Sequence, residues 1–322
     1  MYKFSKMLVR NMNTTRKPLL PLSKIVRKQQ DEVLLKPYYH IQKALCDSHI
    51  DILWSFNGWL PVPENKARAV EEFMRTFHLV TILIDDITDN STVRWNVPAA
   101  HIVYSSALSI NAAWHVMSMG LKKLTDLEPK AQGLIFERVT EFYRGQGIEI
   151  YWRDNATCPS EEEYIDMIHQ KTSNVIHLSC QLRQLFSQNQ TDYSKLGNLL
   201  GEYYQIRNDY FNLVDEQYEG NRAVCGDITE GKFTLPIIHA VKHSDVGSEV
   251  INIIKQRTQD IYLKKYCLSL LESVGSFQYT RDKLLKIETE IYNEMQNHGA
   301  NPGLAACMDR LSDWKELSCN TK

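Results

Sequence analysis

Apolar residues recur at spacings of three and four along almost the whole chain, and this period constrains the fold more than any other feature. Strict alternation of apolar and polar residues, which a half-buried strand would show, is scarce. Three of the helical runs are Val70, Phe73, Phe77, Val80 and Ile84; Leu196, Leu199, Tyr203, Ile206, Tyr210 and Leu213; and Leu284, Ile287 and Ile291. We therefore predict an all-α protein, a single large helical bundle.

The interior of the 322-residue chain contains no linker rich in Pro, Gly and Ser, no internal repeat and no low-complexity block. Turn residues predict where helices break: at 61–63, 96–98, 158–160, 219–221 and 299–302. Ser160 is followed by glutamates, and Glu163 stands at the capping-box position, so a helix should begin there. We expect one helical domain over residues 31–322.

Residues 1–30 differ from this domain in charge. They carry eight Lys and Arg residues and no acid before Asp31, with Ser and Thr between them. This composition is typical of an organelle transit peptide, and a disordered basic extension, or a start at Met7 or Met12, is the alternative. We expect a cytoplasmic protein, with mitochondrial targeting through residues 1–30 as the second interpretation.

Composition argues against several classes of function. The formal net charge of −2 disfavours a general nucleic-acid binder, which would show a basic surface. No run of 18 apolar residues exists, so we predict no transmembrane segment. The seven cysteines are scattered and form no C-x-x-C pair. They are typical of free thiols in a reducing compartment rather than of a disulfide framework or a zinc site.

The segment LIDDITD brings three carboxylates to one side of a helix, because Asp85, Asp86 and Asp89 stand at helical spacing. Acids at the end of a helix oppose its dipole, so a solvated acidic helix end is the weaker interpretation. A cation bound among the carboxylates would offset this unfavourable interaction with the helix dipole. Oxygen ligands suit Mg²⁺, which usually binds through one or two carboxylates together with substrate phosphates.

The segment IRNDYFN repeats this geometry with fewer charges, through Asn208, Asp209 and Asn212. Alone it would be a weak signal. Together with the first motif and with basic residues at Arg94, Lys171, Arg222 and Lys232, it predicts a diphosphate held between metal ions and cationic side chains.

From about Leu34 to Trp314 the sequence resembles the trans-isoprenyl diphosphate synthases, and most closely the animal geranylgeranyl diphosphate synthases. The matching segments, in the family's order, are LIDDITDNSTVR, GQGIEIYWRDNATCPSEEEY, HQKTSN, YYQIRNDYFNL, GDITEGKFTLP and VGSFQYTRDKL. The resemblance implies an all-α bundle around a deep central cavity, and a homodimer.

The resemblance also implies the roles of the polar residues. Asp85, Asp86 and Asp89 would hold Mg²⁺ against an allylic diphosphate, with Asp209 and its neighbours Asn208 and Asn212 as the second metal motif. About three Mg²⁺ ions are implied, with Mn²⁺ able to substitute. The remaining contacts to the diphosphate or its metals fall on Arg94, Lys171, Gln205, Arg222 and Lys232, and Arg222 stands where the family usually has Lys.

The family limits product length with bulky aromatic residues shortly before the first aspartate motif. Here those positions are Val80 and Thr81, so we expect a cavity that admits a C20 chain first and a C15 chain second.

A chain-elongating member also needs a site for isopentenyl diphosphate, and here the sequence departs from the family. The Gly-Lys-x-x-Arg segment reads Leu45-Cys46-Asp47-Ser48-His49, and the pair of arginines after the first motif reads Arg94-Trp95, although His78 is kept. A hydrogen bond to a charged group contributes about 1.5–3 kcal/mol. The loss of three such contacts predicts binding of the second diphosphate weaker by about 10³-fold.

We therefore predict a terpene synthase that ionises geranylgeranyl diphosphate, or farnesyl diphosphate second, and releases diphosphate and a cyclic terpene. Similar losses occur in insect terpene synthases that arose from prenyltransferases, some of which make pheromones. Trp95 either presents its π face to a cation or only fills the vacated site, and Glu149 either faces the cavity or is structural. A chain-elongating geranylgeranyl diphosphate synthase and a non-catalytic regulatory subunit remain the alternatives.

Overall fold

The computed structural model describes residues 24–45, 51–214 and 225–316, and these confirm the predicted all-α fold. Several sequence expectations lie outside the described residues: residues 1–23, the segment Cys46–His49, the turn at 219–221, Arg222 and Cys319. The helices are α1 (Lys24–Leu34), α2 (Lys36–Gln42), α3 (Glu64–Asp89), α4 (Ala100–Tyr104), α5 (Ser106–Leu127), α6 (Ala131–Asp154), α7 (Glu161–Ile168), α8 (Asn174–Gln184), α9 (Ser194–Val214), α10 (Gly226–Glu230), α11 (Leu235–His243), α12 (Gly247–Ile254), α13 (Ile261–Ser273), α14 (Ser276–His298) and α15 (Pro302–Leu311).

Shorter elements complete the described chain. A π-helical segment, His169–Ser173, joins α7 directly to α8, and 3₁₀ turns stand at Asp51–Trp54 and Asp313–Glu316. Two short strands, β1 (Val93–Arg94) and β2 (Val97–Pro98), pair antiparallel after α3. Helix α1 begins inside the stretch 1–30 that sequence reasoning set apart from the domain.

Local signals place the helix ends where turn chemistry predicts them. The capping box at the start of α7 is confirmed: the Ser160 hydroxyl accepts from the Glu163 backbone N–H, and the Glu163 carboxylate accepts from the Ser160 backbone N–H. Helix α3 ends at Asn90, whose φ of 57° is in the left-handed region that stops a helix. Proline stands in the first turn of α2, α11 and α15, where its missing N–H is not needed.

The core forms where the longest helices pack side by side. Helix α3 packs along α5, α9 packs along α14, and α6 packs against α8 and the π-helical segment. The largest fully buried side chains are aromatic and include Trp314, Tyr164, Tyr203, Tyr210, Phe73 and Phe77. Within the described ranges, no helix is both long and apolar enough to cross a membrane. The described cysteines are free thiols.

Candidate active site

Residues of both polar motifs line one cavity of ≈ 530 Å³. Helix α3 contributes Asp85 near its end, and α9 contributes Asn208, Asp209 and Asn212. Lys171, from the π-helical segment, lies on the same wall. Motifs more than a hundred residues apart in the chain are thus brought together by the packing of long helices.

The π-helical segment projects Lys171 into this cavity, and two glycines make room for its backbone. A Cβ at Gly145 of α6 would lie 3.0 Å from the Lys171 backbone N, and one at Gly201 of α9 would lie 2.1 Å from Ser173 Oγ. Single π-helical turns often occur at functional sites. Lys171 donates to Glu149 Oε2 at 2.6 Å and to Asp85 Oδ1 at 3.5 Å. Burial lowers the pKa of Lys171, but these carboxylates outweigh it and the net pKa is raised.

A hairpin returns Arg94 to the helix that precedes it. Trp95 and Asn96 form the two-residue turn with φ of 49° and 63°, which is the positive-φ geometry of a tight hairpin turn. Arg94 therefore lies over the end of α3, where it donates from Nε to Asp86 Oδ1 at 2.8 Å and from Nη2 to Asp85 Oδ2 at 3.4 Å. The Arg94 and Asp86 side chains are 5% and 1% exposed.

Asp89 lies behind the cavity wall and is shared between two cations. Arg153 of α6 donates to Asp89 Oδ1 at 2.8 Å, and Lys232 donates to Asp89 Oδ2. Lys232 also contacts Glu230 Oε2 at 2.7 Å. Burial, followed by repulsion from Asp85, raises the pKa of Asp89 to about 7, although Lys232 opposes the shift. The Asp89 carboxylate is therefore held in place by two basic side chains.

Asp209 of α9 is held by two hydrogen bonds in a fully buried position. Tyr164 donates its hydroxyl to Asp209 Oδ2 at 2.5 Å, and Gln205 donates to Asp209 Oδ1 at 2.8 Å. Burial raises the pKa of Asp209 to about 6, although both hydrogen bonds lower it. Gln205 also accepts a hydrogen bond from the Thr172 hydroxyl at 2.7 Å, which ties α9 to the π-helical segment.

The two amides of the second motif have different surroundings. Asn212 accepts from the Asp227 backbone N–H at 2.9 Å, which ties α9 to α10. Asn208 accepts from Arg207 Nη1 at 3.2 Å. Both side chains line the cavity, but the Asn212 oxygen accepts from backbone, whereas the Asn208 oxygen accepts from a charged side chain.

Of the three residues predicted to line the cavity, two do so and one does not. Thr81 and Trp95 line the cavity, together with His78 and Ile82 of α3. Val80 does not: it is buried in the hydrophobic core at 3% exposure. A helix advances by about 100° per residue, so residues 78, 81, 82 and 85 share a face from which residue 80 points away.

Sequence reasoning missed several residues of the site. Gln146 donates to Asp85 Oδ1 at 3.1 Å, Arg153 holds Asp89, and Tyr164 holds Asp209. A signal was present for part of this set, because Gln146, Glu149 and Arg153 stand at helical spacing on α6. Glu149, left open by the sequence, lines the cavity and binds Lys171.

Known proteins match this chain over most of its length. A protein family described as polyprenyl synthetase matches residues 51–271. The chain belongs to the polyprenyl synthetase family. The predicted membership of the trans-isoprenyl diphosphate synthases is thereby confirmed, and prenyl diphosphate chemistry is supported for this chain.

Similar members of the family carry two kinds of name. A terpene synthase from Matsumurasca onukii is 43% identical over 289 residues, which cover 89% of this chain and 95% of that protein. A geranylgeranyl pyrophosphate synthase from Mucor circinelloides f. lusitanicus is 38% identical, covering 88% and 94%. Another from Dictyostelium discoideum is 37% identical, covering 88% and 95%. Sequence identity alone therefore does not distinguish a terpene synthase from a geranylgeranyl pyrophosphate synthase.

The donor set fits the divalent metal that the family implies. Its members are carboxylate and amide oxygens, the ligands of Mg²⁺, and not the soft ligands that select other metals. In the described part of the chain, no three His, Cys, Asp or Glu side chains are grouped so as to hold a metal ion by themselves. Carboxylates such as Asp85 and Asp209 would thus bind Mg²⁺ together with the oxygens of a substrate diphosphate, as Mg²⁺ commonly does.

Proposed function

We propose that this polyprenyl synthetase family member is a terpene synthase. It ionises an allylic prenyl diphosphate, with geranylgeranyl diphosphate favoured over farnesyl diphosphate, and releases diphosphate and a cyclic terpene. One observation carries the proposal: the cavity wall has an indole where an elongating enzyme would need a second arginine. Trp95 lines the cavity beside His78, with ring centroids 6.3 Å apart and planes at 30°. The indole of Trp95 carries no positive charge for a second diphosphate, which an arginine at this position would supply.

The cations around Asp85 and Asp89 bind and orient the first diphosphate. Arg94, Lys171 and Lys232 all line the cavity and each is held by a carboxylate. Mg²⁺ would supply Lewis acidity to the leaving group, and it would be held by the carboxylates and amides of the two motifs: Asp85, Asp86, Asp89, Asn208, Asp209 and Asn212. With these acids engaged by the metal, Arg94, Lys171 and Lys232 would be available to stabilise the departing charge. Arg222 is proposed to join this set.

The rest of the wall folds the hydrocarbon chain and excludes water. Phe142, Phe211 and Ile176 line the cavity with Trp95, so the cation forms against apolar and aromatic surfaces. The face of an indole stabilises a cation better than other side-chain rings. With no acceptor bound, the cation cyclises and transfers a proton to the released diphosphate, which we propose as the final base.

A chain-elongating geranylgeranyl diphosphate synthase is the second candidate, since His78 is kept and two of the similar proteins carry that name. Incubation of the purified protein with Mg²⁺, farnesyl diphosphate and radiolabelled isopentenyl diphosphate separates the two. A terpene synthase leaves the label in unreacted substrate, whereas an elongating enzyme transfers it to a C20 diphosphate. The third candidate, a non-catalytic regulatory subunit, predicts turnover in neither this assay nor one with an allylic diphosphate alone.

We propose a homodimer that forms through α5 and the adjoining face of α6. Ile110 and Trp114 of α5 and Phe136 of α6 are 41%, 54% and 53% exposed. Trp114 stacks beside Tyr143 of α6 at 6.4 Å, so these apolar groups form part of one surface. Large apolar surfaces of this kind mark protein interfaces. Sedimentation equilibrium of wild type and Trp114→Glu tests the assignment, with dissociation expected for the variant.

A further inference from the structure

A second group of charged residues lines the same cavity as the two polar motifs. Arg207 of α9 and Arg310 of α15 belong to it, as do Asp51, at the start of a 3₁₀ turn, and Asp313, just after α15. We call these four residues the C-terminal charge cluster. The proposed reaction uses none of them.

Arg207 is the most constrained member of the cluster. It donates from Nη2 to both oxygens of Asp313, at 2.6 and 2.8 Å, and from Nε to the Leu311 carbonyl at 2.9 Å. Its guanidinium lies 4.2 Å from the centroid of the Phe211 ring, and its side chain is 12% exposed. Arg binds carboxylate and phosphate groups through the same bidentate geometry, so a guanidinium that holds a carboxylate in this way could also hold a phosphate.

Arg310 makes the second ion pair of the cluster. It donates from Nη2 to Asp51 Oδ2 at 2.7 Å, and these side chains are 53% and 30% exposed. Both ion pairs line the same cavity, together with the Cys307 side chain. The cluster therefore holds two arginines and two aspartates and has no net charge.

We propose that Arg207 and Arg310 form an anion site that the chain occupies with its own carboxylates, Asp313 and Asp51, and that this occupancy keeps a second organic diphosphate out of the cavity. The inference rests on the proposed function and names residues that enforce it. It adds to the loss of the second arginine of the family pair, where this chain has Trp95, since it concerns cations that are present but already bound.

Charge explains why the occupied site excludes a diphosphate. A diphosphate entering the cluster would meet two aspartates and would have to displace both from their arginines. Replacing each aspartate with asparagine removes the repulsion and leaves the guanidinium groups available. Asparagine keeps the size and some of the hydrogen bonds of aspartate, so the segment after α15 should stay in place.

Affinity for isopentenyl diphosphate tests the proposal. It is titrated calorimetrically into enzyme saturated with Mg²⁺ and geranylgeranyl thiolodiphosphate, an analogue that does not ionise. The Asp51→Asn/Asp313→Asn variant should gain affinity by roughly 10- to 100-fold. Adding Arg207→Gln to that variant should abolish the gain. Asp309→Asn is the matched control, because Asp309 is an exposed acid of α15 that does not line the cavity.

The outcomes separate this inference from the proposed function. A gain in the double variant and none in Asp309→Asn supports the self-occupied site. Weak binding by wild type and by the double variant alike overturns it and leaves the proposed function standing. Tight binding by wild type contradicts the proposed function and this inference together. The single variant Asp51→Asn leaves every contact of Arg207 in place. We expect it to gain affinity for isopentenyl diphosphate by a smaller factor than the double variant. This test remains valid even if Asp313→Asn loosens the end of the chain.

Discussion

Arg153 of α6 donates a 2.8 Å hydrogen bond to Asp89 in the last turn of α3, and the two side chains are 7% and 2% exposed. Arg153 also donates to the Thr88 carbonyl at 3.0 Å. The contact joins the end of the helix that carries the first aspartate motif to the helix that carries Glu149 and Gln146. It fixes one carboxylate of that motif before any substrate arrives.

Replacing Arg153 should therefore destabilise the fold. Removal of one partner from a buried ion pair typically reduces the free energy of unfolding by about 3–5 kcal/mol. Lys232 still pairs with Asp89, so for Arg153→Met we expect the low end, about 3 kcal/mol. Arg153→Lys, which keeps the charge, should lose less. Urea denaturation of both variants measures this, and equal stability of Arg153→Met and wild type would show that the pair adds nothing.

Gly201→Ala should displace the π-helical segment that carries Lys171. The new methyl group would lie 2.6 Å from the Ser173 Cα as well as 2.1 Å from its Oγ, so backbone has to move. We expect a loss of about 1–3 kcal/mol in stability and a fall in kcat on an allylic diphosphate. Gly147→Ala is the matched control: nothing lies within 4 Å of its Cβ position, and alanine should stabilise α6 by up to about 1 kcal/mol. Identical behaviour of the two variants would refute the close-packing explanation.

Asp85→Asn should reduce diphosphate release by at least about 10²-fold, because it removes from the cavity wall a carboxylate that we propose as a Mg²⁺ ligand. The Mg²⁺ concentration for half-maximal activity should rise in the same variant. Asp126→Asn, which removes an exposed acid paired with Lys122, serves as the control. A Mg²⁺ titration of phosphate released through a coupled pyrophosphatase gives both quantities. Normal Mg²⁺ dependence in Asp85→Asn would exclude Asp85 as a metal ligand.

His177 should make stability depend on pH. Burial lowers its pKa below 6.5, and the nearby Arg138 and His169 add to the shift although the Asn198 hydrogen bond opposes it. The unfolded chain therefore takes up a proton at higher pH than the folded protein. The full contribution of His177 to the free energy of unfolding is present above about pH 6.5. It is lost as the pH falls from there through the lowered pKa of the folded state. Comparing unfolding at about pH 8 and pH 5 for wild type and His177→Gln tests this, and His177→Gln should show a smaller difference.

Helix content and motif positions followed from the sequence because they depend on local spacing. The apolar period predicted the helices, and Ser160 with Glu163 predicted the start of α7. The aspartates of α3 were found because helical spacing puts them on one side. Val80 shows the limit of such reasoning: it differs from Thr81 by one residue, yet the direction of α3 relative to the cavity sends one side chain inward and the other into the core.

Long-range partners could not be read from the sequence. Tyr164 and Asp209 are 45 residues apart and are joined by a single hydrogen bond. No local sequence pattern around either residue predicts this contact. Arg207 and Asp313 are separated by 106 residues, and their pairing depends on how α15 returns to α9. Charge count alone could not tell which arginines are available to a ligand and which are held by the chain's own acids.

The most direct test of the proposed function uses geranylgeranyl diphosphate alone. Purified protein is incubated with Mg²⁺ and this substrate, without isopentenyl diphosphate, and the organic extract is analysed by gas chromatography with mass detection. We predict a C20 hydrocarbon or alcohol that is absent from boiled protein and from Asp85→Asn. Recovery of intact substrate, together with chain extension when isopentenyl diphosphate is added to farnesyl diphosphate, would contradict the terpene synthase assignment.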